Sequence, residues 1–339
     1  MRYFGTGSNC LQVQLGPTTR PSRAASNTKM KRNIQRLLPA EMAGLQRSVY
    51  LFFLLLLPLL SARALQAQVR IAQISDTHFG EPRAPHALDN LRRAVDMINA
   101  RHPDAVIVSG DMGENPEAWD RAWGVFKWLH APVYYAPGNH DVHSNDLERY
   151  RRYGKFGKDY YRFEVKGVIF LVIDSQLLGN YDNFDARTPP RLAPRMEDES
   201  ERMLSWLQRQ GRGGDADDDR RGLDDRDRDD RGNGRRIVIG IQHVPVFRDG
   251  DFPPDNKPYW VVSDPYRSRE MDILHRIGVR HMLVGHWHNF RVFSRDGITW
   301  HVGAATSWLP WGGELGFVMH TITPDGDVRS EFVPLGTGP

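Results

Sequence analysis

From Gln68 onward, short apolar runs alternate with stretches whose apolar residues recur every three or four positions. The β-branched run VRIAQIS (69–75) reads as a strand ending in a polar loop. HALDNLRRAVDMINA (86–100) sets Leu88, Leu91, Val95 and Ile98 at helical spacing. DAVIVSGD (104–111) is a second buried strand running into a glycine turn. AWDRAWGVFKWLH (118–130) follows as a helix, and PVYYAPGNHD (132–141) as strand then loop. This rhythm predicts βαβ units and an α/β sheet.

The second half is richer in strands. Segments 160–165 and 168–174, joined by Lys166-Gly167, predict a hairpin. A helix is expected at 201–210, a strand at 236–247 and a helix at 266–277. Further strands are expected near 281–285, 290–294, 298–303, 315–322 and 327–333. Helices flanking two packed sheets accommodate this order. An Asp/Arg/Gly-rich insertion at 211–235 has only Ala216 and Leu223 to bury, too little to offset its ordering entropy, and is expected to be a disordered loop.

Composition changes the picture mainly at the N-terminus. Val49 to Leu60 is an unbroken apolar run, preceded by Arg47 and followed by Ala62-Arg63-Ala64, the three-part pattern of a signal peptide over 42–67. The run is short for a membrane span and contains Pro58, so no stable span is expected after cleavage. Residues 1–41 are polar, Arg-rich and patternless, and read as a non-native or disordered leader, with Met30 or Met42 as the start. Residues 1–64 hold nine of the 45 basic residues and one of the 42 acids, leaving 36 basic against 41 acidic in the rest. The formal charge of +3 therefore indicates no nucleic-acid surface. The single cysteine, Cys10, lies in the leader, which excludes a disulfide framework and thiol catalysis in the mature domain, 68–339. Export to a periplasm or the medium is expected. Nothing in the sequence sets an oligomeric state.

The candidate chemistry sits where apolar runs end. Asp76 and His78 follow the first strand, Asp111 follows Gly110, and Asn139, His140 and Asp141 follow Gly138. His243 and the pair His286 and His288 close two later strands. Each block alone is a common loop sequence, but ligands of open α/β sheets gather at the carboxyl ends of strands. Carboxylate, imidazole and amide oxygen without thiolate suit divalent ions such as Mn, Fe or Zn. A carboxylate can bridge two such ions, the arrangement that clamps the oxygens of a phosphoryl transfer. Gly110, Gly138 and Gly285 suit sharp bends beside a crowded site. If the strand through Val284 persists, His286 and His288 face the site and Trp287 turns into the core.

In this order, Asp-x-His, Gly-Asp, Gly-Asn-His-Asp, a lone His and Gly-His-x-His resemble the calcineurin-like metallophosphoesterase superfamily over residues 69–335. The resemblance implies a four-layer αββα sandwich, two mixed β-sheets flanked by helices, with two divalent metal ions at the strand ends. It implies that Asp76, His78 and His288 hold one ion, that Asn139, His243 and His286 hold the other, and that Asp111 bridges them. His140 would face the substrate, stabilising the phosphoryl group or protonating the leaving oxygen, with Asp141 orienting it by accepting its ring hydrogen. The implied activity is hydrolysis of phosphomonoesters or phosphodiesters, small molecules included, by a metal-bridging hydroxide. The alternative is a non-catalytic binding or scaffold member, which should lack some of these residues.

The chain also departs from relatives. Glu114 stands where purple acid phosphatases carry a tyrosine, and GDMGEN replaces the GDxVDRG of the serine/threonine phosphatases. Trp308 and Trp311, together with the Pro-rich segment 248–260, are candidates to wall the substrate pocket and set specificity. His143 is a candidate pocket residue with surface duty as its other reading.

Overall fold

The computed structural model describes residues 68–142, 147–153, 158–211 and 236–336. The leader, the signal segment, His143 and the insertion after Gly211 lie outside the described residues. In chain order the elements are β1 (Val69–Ile74), α1 (Ala87–Asn99), β2 (Ala105–Ser109), α2 (Pro116–Phe126), β3 (Val133–Ala136) and α3 (Leu147–Tyr153). The hairpin β4 (Tyr161–Val165) and β5 (Val168–Val172), α4 (Pro194–Arg209), β6 (Ile237–Ile241), α5 (Tyr266–Ile277) and β7 (His281–Val284) follow. The chain closes with β8 (Arg291–Arg295), β9 (Ile298–Val302), β10 (Gly316–Ile322) and β11 (Val328–Pro334).

Two mixed sheets result. The first has the order β11-β10-β1-β2-β3, with β1, β2 and β3 parallel and β10 and β11 antiparallel. The second has the order β4-β5-β6-β7-β9-β8, parallel from β5 through β9 with an antiparallel strand at each edge. Strand alternation divides the core. Ile71, Ile107, Phe170, Ile239 and Leu283 pack in one cluster drawn from both sheets. Their sequence neighbours Ala72, Val106, Leu171, Val238 and Met282 point the other way, into the cluster that holds Leu91, Trp119, Leu204 and Leu274 of the helices. Helices therefore cover the outer faces, giving the αββα order.

Element boundaries moved where capping or proline overrode periodicity. α2 starts at Pro116, two residues early, because Asn115 accepts from the Ala118 N–H and proline suits the first helical turn. α4 starts at Pro194, seven residues before its expected start, because its first turns bury only Met196 and Ser200 and carry little apolar signal. β6 stops at Ile241 instead of 247. Residues 242–246 stay buried but leave the sheet, with the His243 carbonyl accepting from Gly285 and the Pro245 carbonyl from Val262. α3 was not visible as a periodic stretch.

Phe170 is fully buried between the sheets and stacks on Phe163 at 4.9 Å. Phe170→Ala should lower the unfolding free energy by about 3–5 kcal/mol in denaturant titration. A loss within the range of surface substitutions, about 0.5 kcal/mol, would contradict the assignment of Phe170 to the inter-sheet core.

Candidate metal centre

The loops after β1, β2 and β3 of one sheet and after β6 and β7 of the other meet at one point. Backbone bonds fix them together. Asp76 N–H donates to the Gly110 carbonyl (3.1 Å) and His78 N–H to the Asp111 carbonyl (2.9 Å). His140 N–H donates to Asp111 Oδ1 at 2.9 Å, and His286 N–H to Asp76 Oδ1 at 3.2 Å. Ligand atoms of Asp76, His78, Asp111 and His288 all lie within 4.8 Å of one another, as do those of Asp111, His243 and His286.

The side chains reach this point through unusual backbone. Asp76, His78, Asp111, His286 and His288 all have φ between 43° and 73°, the left-handed region. That conformation costs roughly 1–2 kcal/mol for a non-glycine residue and is kept where surrounding bonds enforce it. It also corrects the expected origin of the His286/His288 geometry. The strand ends at Val284, so the two histidines face the centre through left-handed kinks instead of strand alternation. Trp287 still turns inward, fully buried, donating Nε1–H to the Trp260 carbonyl at 2.9 Å. Crowding is severe. A Cβ at Gly138 would overlap the Asp111 backbone and carboxylate, and one at Gly110, where φ is 96°, would strike the His243 ring.

Hydrogen bonds from behind settle which atom each ligand presents. His78 Nδ1 lies 3.0 Å from Glu114 Oε1, His288 Nδ1 2.9 Å from the Trp308 carbonyl and His243 Nδ1 2.7 Å from the Ser109 carbonyl. These partners accept only, so each Nδ1 carries the hydrogen and each Nε2 turns a lone pair inward. His286 is reversed: Nε2 donates to the Tyr259 carbonyl at 3.0 Å, leaving Nδ1 inward. Asn139 Nδ2 donates to the Tyr259 hydroxyl at 3.0 Å, leaving Oδ1 buried and unpartnered.

The inward set is therefore rich in acceptors. His78 Nε2 and His288 Nε2 lie 3.0 Å apart, and His288 Nε2 is 3.3 Å from Asp76 Oδ1. Burial and the charge of His243 push His286 down to about 3, and burial together with His78 holds His288 well below the usual imidazole range. Burial also works against a charged His243, but the Asp111 carboxylate, 3.1 Å from its Nε2, outweighs it and raises the ring to about 9. A proton and a cation compete for that Nε2 lone pair. Converging lone pairs and carboxylates form groups that could hold divalent cations: Asp76, His78, Asp111 and His288 in one, Asp111, His243 and His286 in another, with Asn139 Oδ1 left buried and unpartnered.

His140 lies beside this set, its ring 4.6 Å from that of His78, and forms with His78 and Glu114 a further group of converging ligand atoms. Its orienting partner is not Asp141. The Asp141 carboxylate is consumed by backbone N–H groups of Gly138 (2.9 Å), Met112 (2.9 Å) and Gly113 (3.3 Å), clamping two ligand loops together. Burial and the nearby Asp111 charge push Asp141 up to about 6. Glu114 takes the orienting role: Oε2 lies 2.7 Å from His140 Nδ1 while Oε1 holds His78. Its three-residue spacing from Asp111 was the only sequence sign of this.

The centre forms the floor of a cavity of about 420 Å³. Trp308 and Trp311 do line it, and the 248–260 segment contributes Asp255, Tyr259 and Trp260. Arg83, Tyr181, Asp182, Phe184 and Pro310 also line it and were not singled out from the sequence.

With this fold and donor set in view, comparison with known proteins gives the class. The sequence model of the calcineurin-like phosphoesterases matches residues 69–290, and the chain belongs to that family. A serine/threonine-protein phosphatase, CPPED1 of Danio rerio, is 24% identical over 197 residues, 57% of this chain and 52% of the relative. The chain thus spans about half the length of that curated relative. Among solved structures, a dimetal phosphatase from Danio rerio superposes with a TM-score of 0.55 at 14% identity, over 79% of this chain and 99% of that one. GAP50, the anchor in the inner membrane complex of Plasmodium, superposes at 0.50 with 15% identity, over 80% and 86% of the two chains.

Glu114→Gln removes one of the two acceptors that hold His78 and His140. It should lower kcat on p-nitrophenyl phosphate by about 10–100-fold. KM and bound metal should be nearly unchanged, with Glu114→Asp recovering part of the rate. Unchanged kcat would assign Glu114 a purely structural role.

Proposed function

We propose that the chain is a metal-dependent phosphoesterase hydrolysing phosphomonoester or phosphodiester bonds. The observation that carries this reading is the convergence of lone pairs from seven residues at the floor of a substrate-sized cavity, with His140 beside them on the cavity wall. When bound, two divalent ions acidify water and neutralise phosphoryl charge. Asp76, His78, Asp111, Asn139, His243, His286 and His288 hold them in place.

The remaining steps belong to the chain's own groups. Glu114 keeps the His140 hydrogen on Nδ1, so that Nε2 is the atom left to exchange a proton with the ester's departing oxygen or to bond a phosphoryl oxygen. No side chain needs to form a covalent intermediate. A scaffold member should lack some of the ligands or the His140 equivalent, and here every expected position is filled.

A hydrolysis panel tests the reading: p-nitrophenyl phosphate, bis-p-nitrophenyl phosphate, 2′,3′- and 3′,5′-cyclic nucleotides and a phospholipid, each with Mn, Zn or Fe. Asp111→Asn should abolish metal-dependent turnover. His140→Ala should keep its metal but lose about 10²–10⁴-fold in rate. Metal binding without turnover on any ester would favour the scaffold function.

Export to a periplasm or the medium rests on the apolar run Val49–Leu60 and Ala62-Arg63-Ala64. Mass spectrometry of the protein recovered outside the cytoplasm should find an N-terminus at 65–68. Recovery with the apolar segment intact would overturn cleavage.

A further inference from the structure

Above the metal floor, the cavity has one continuous aromatic wall built from separate segments. Trp260 is its hub, with ring centroids 4.8 Å from Trp311, 5.6 Å from Phe184 and 4.9 Å from Tyr259, all edge to face. Electrostatics narrow what this wall can receive. The Arg83 guanidinium already lies 4.1 Å over the Trp308 ring and is held by both Glu81 oxygens, at 2.8 and 3.0 Å. Lys257 Nζ lies 3.5 Å over Phe184 and pairs with Asp185 at 2.9 Å and Asp255 at 3.2 Å.

The protein's own cations thus cover the electron-rich faces at two places on the rim. A cationic ligand group would find those faces already occupied. These cations are matched by carboxylates, which leaves the Trp260–Trp311 corner as apolar, polarisable surface. The cavity also exceeds what a bare phosphate fills, since about 300–1,000 Å³ is the range of pockets that enclose whole small molecules.

Resting on the phosphoesterase reading above, we propose that this wall is a leaving-group subsite. It selects phosphoesters whose organic part carries an uncharged planar aromatic ring, seated against Trp260 and Trp311. Esters of polyols or of quaternary ammonium alcohols are disfavoured.

Phosphonates separate recognition from leaving-group reactivity, because they share the anionic head and are not hydrolysed. Calorimetric titration of the metal-loaded protein should use benzylphosphonate, ethylphosphonate and 2-(trimethylammonio)ethylphosphonate. Benzylphosphonate should bind about tenfold tighter than ethylphosphonate, and the ammonium compound no tighter than ethylphosphonate. Trp311→Ala should cut the benzyl advantage to about threefold or less with ethylphosphonate binding unchanged, and Trp311→Phe should keep most of it. Phe184→Ala, at a ring 43% exposed, provides a second variant that leaves the core intact. Equal affinity for benzyl- and ethylphosphonate, or preference for the ammonium compound, would overturn the subsite while leaving the phosphoesterase reading standing. If no phosphonate binds and no ester is hydrolysed, both fail.

Discussion

The arrangement on which the rest depends is a knot of lone pairs facing one another inside the protein. Imidazole nitrogens 3.0 Å apart, each with its hydrogen committed to an outer acceptor, repel unless positive charge lies between them. The outer acceptors are mostly backbone carbonyls, at Ser109, Tyr259 and Trp308. These cannot ionise or change rotamer. The tautomers, and hence the donor set, are fixed by bonds of the fold itself.

Holding that knot together governs much of the surrounding structure. Five of its residues occupy left-handed backbone, and glycines at 110 and 138 leave room that no side chain could share. Such strain persists only when neighbouring elements over-determine it. The supports are the parallel ladder extended through Gly110 and Asp111, and the Asp141 carboxylate gripping three N–H groups across two loops. The deep inter-sheet core anchors the strands from which all these loops depart. Stability and chemistry meet at the strand ends.

Glu114 links the metal side of the site to the substrate side. One carboxylate binds two imidazoles, one turned to the metal position and one to the cavity, so the geometry of His140 is tied to that of a ligand. The aromatic wall beyond them is tied to the centre only in part: Tyr259 and Trp308 hold Asn139, His286 and His288, whereas the Trp260, Trp311 and Phe184 rings pack on one another. Its loops thus serve both the ligands, through backbone carbonyls and one hydroxyl, and the cavity, through exposed ring surface.

The sequence by itself determined the layers, the strand ends that carry chemistry and the ligand types. Strand and helix periodicities are local, and residues such as Asp76, His243 and His288 follow short apolar runs that read as buried strands. It also marked Trp308, Trp311 and the 248–260 segment as pocket candidates, without deciding between pocket and packing. Tertiary structure alone brought Glu114 to His140: the sequence pointed to the adjacent Asp141, whose carboxylate instead accepts from backbone N–H groups, while Glu114 Oε2 lies 2.7 Å from His140 Nδ1. It also decided how His286 and His288 come to face one centre, since a backbone angle near 60° is set by the bonds around the loop and not by the residue type. Arg83 and Phe184 joined the pocket for the same reason: nothing local distinguishes a surface arginine or phenylalanine from one that folding brings to the rim of a site.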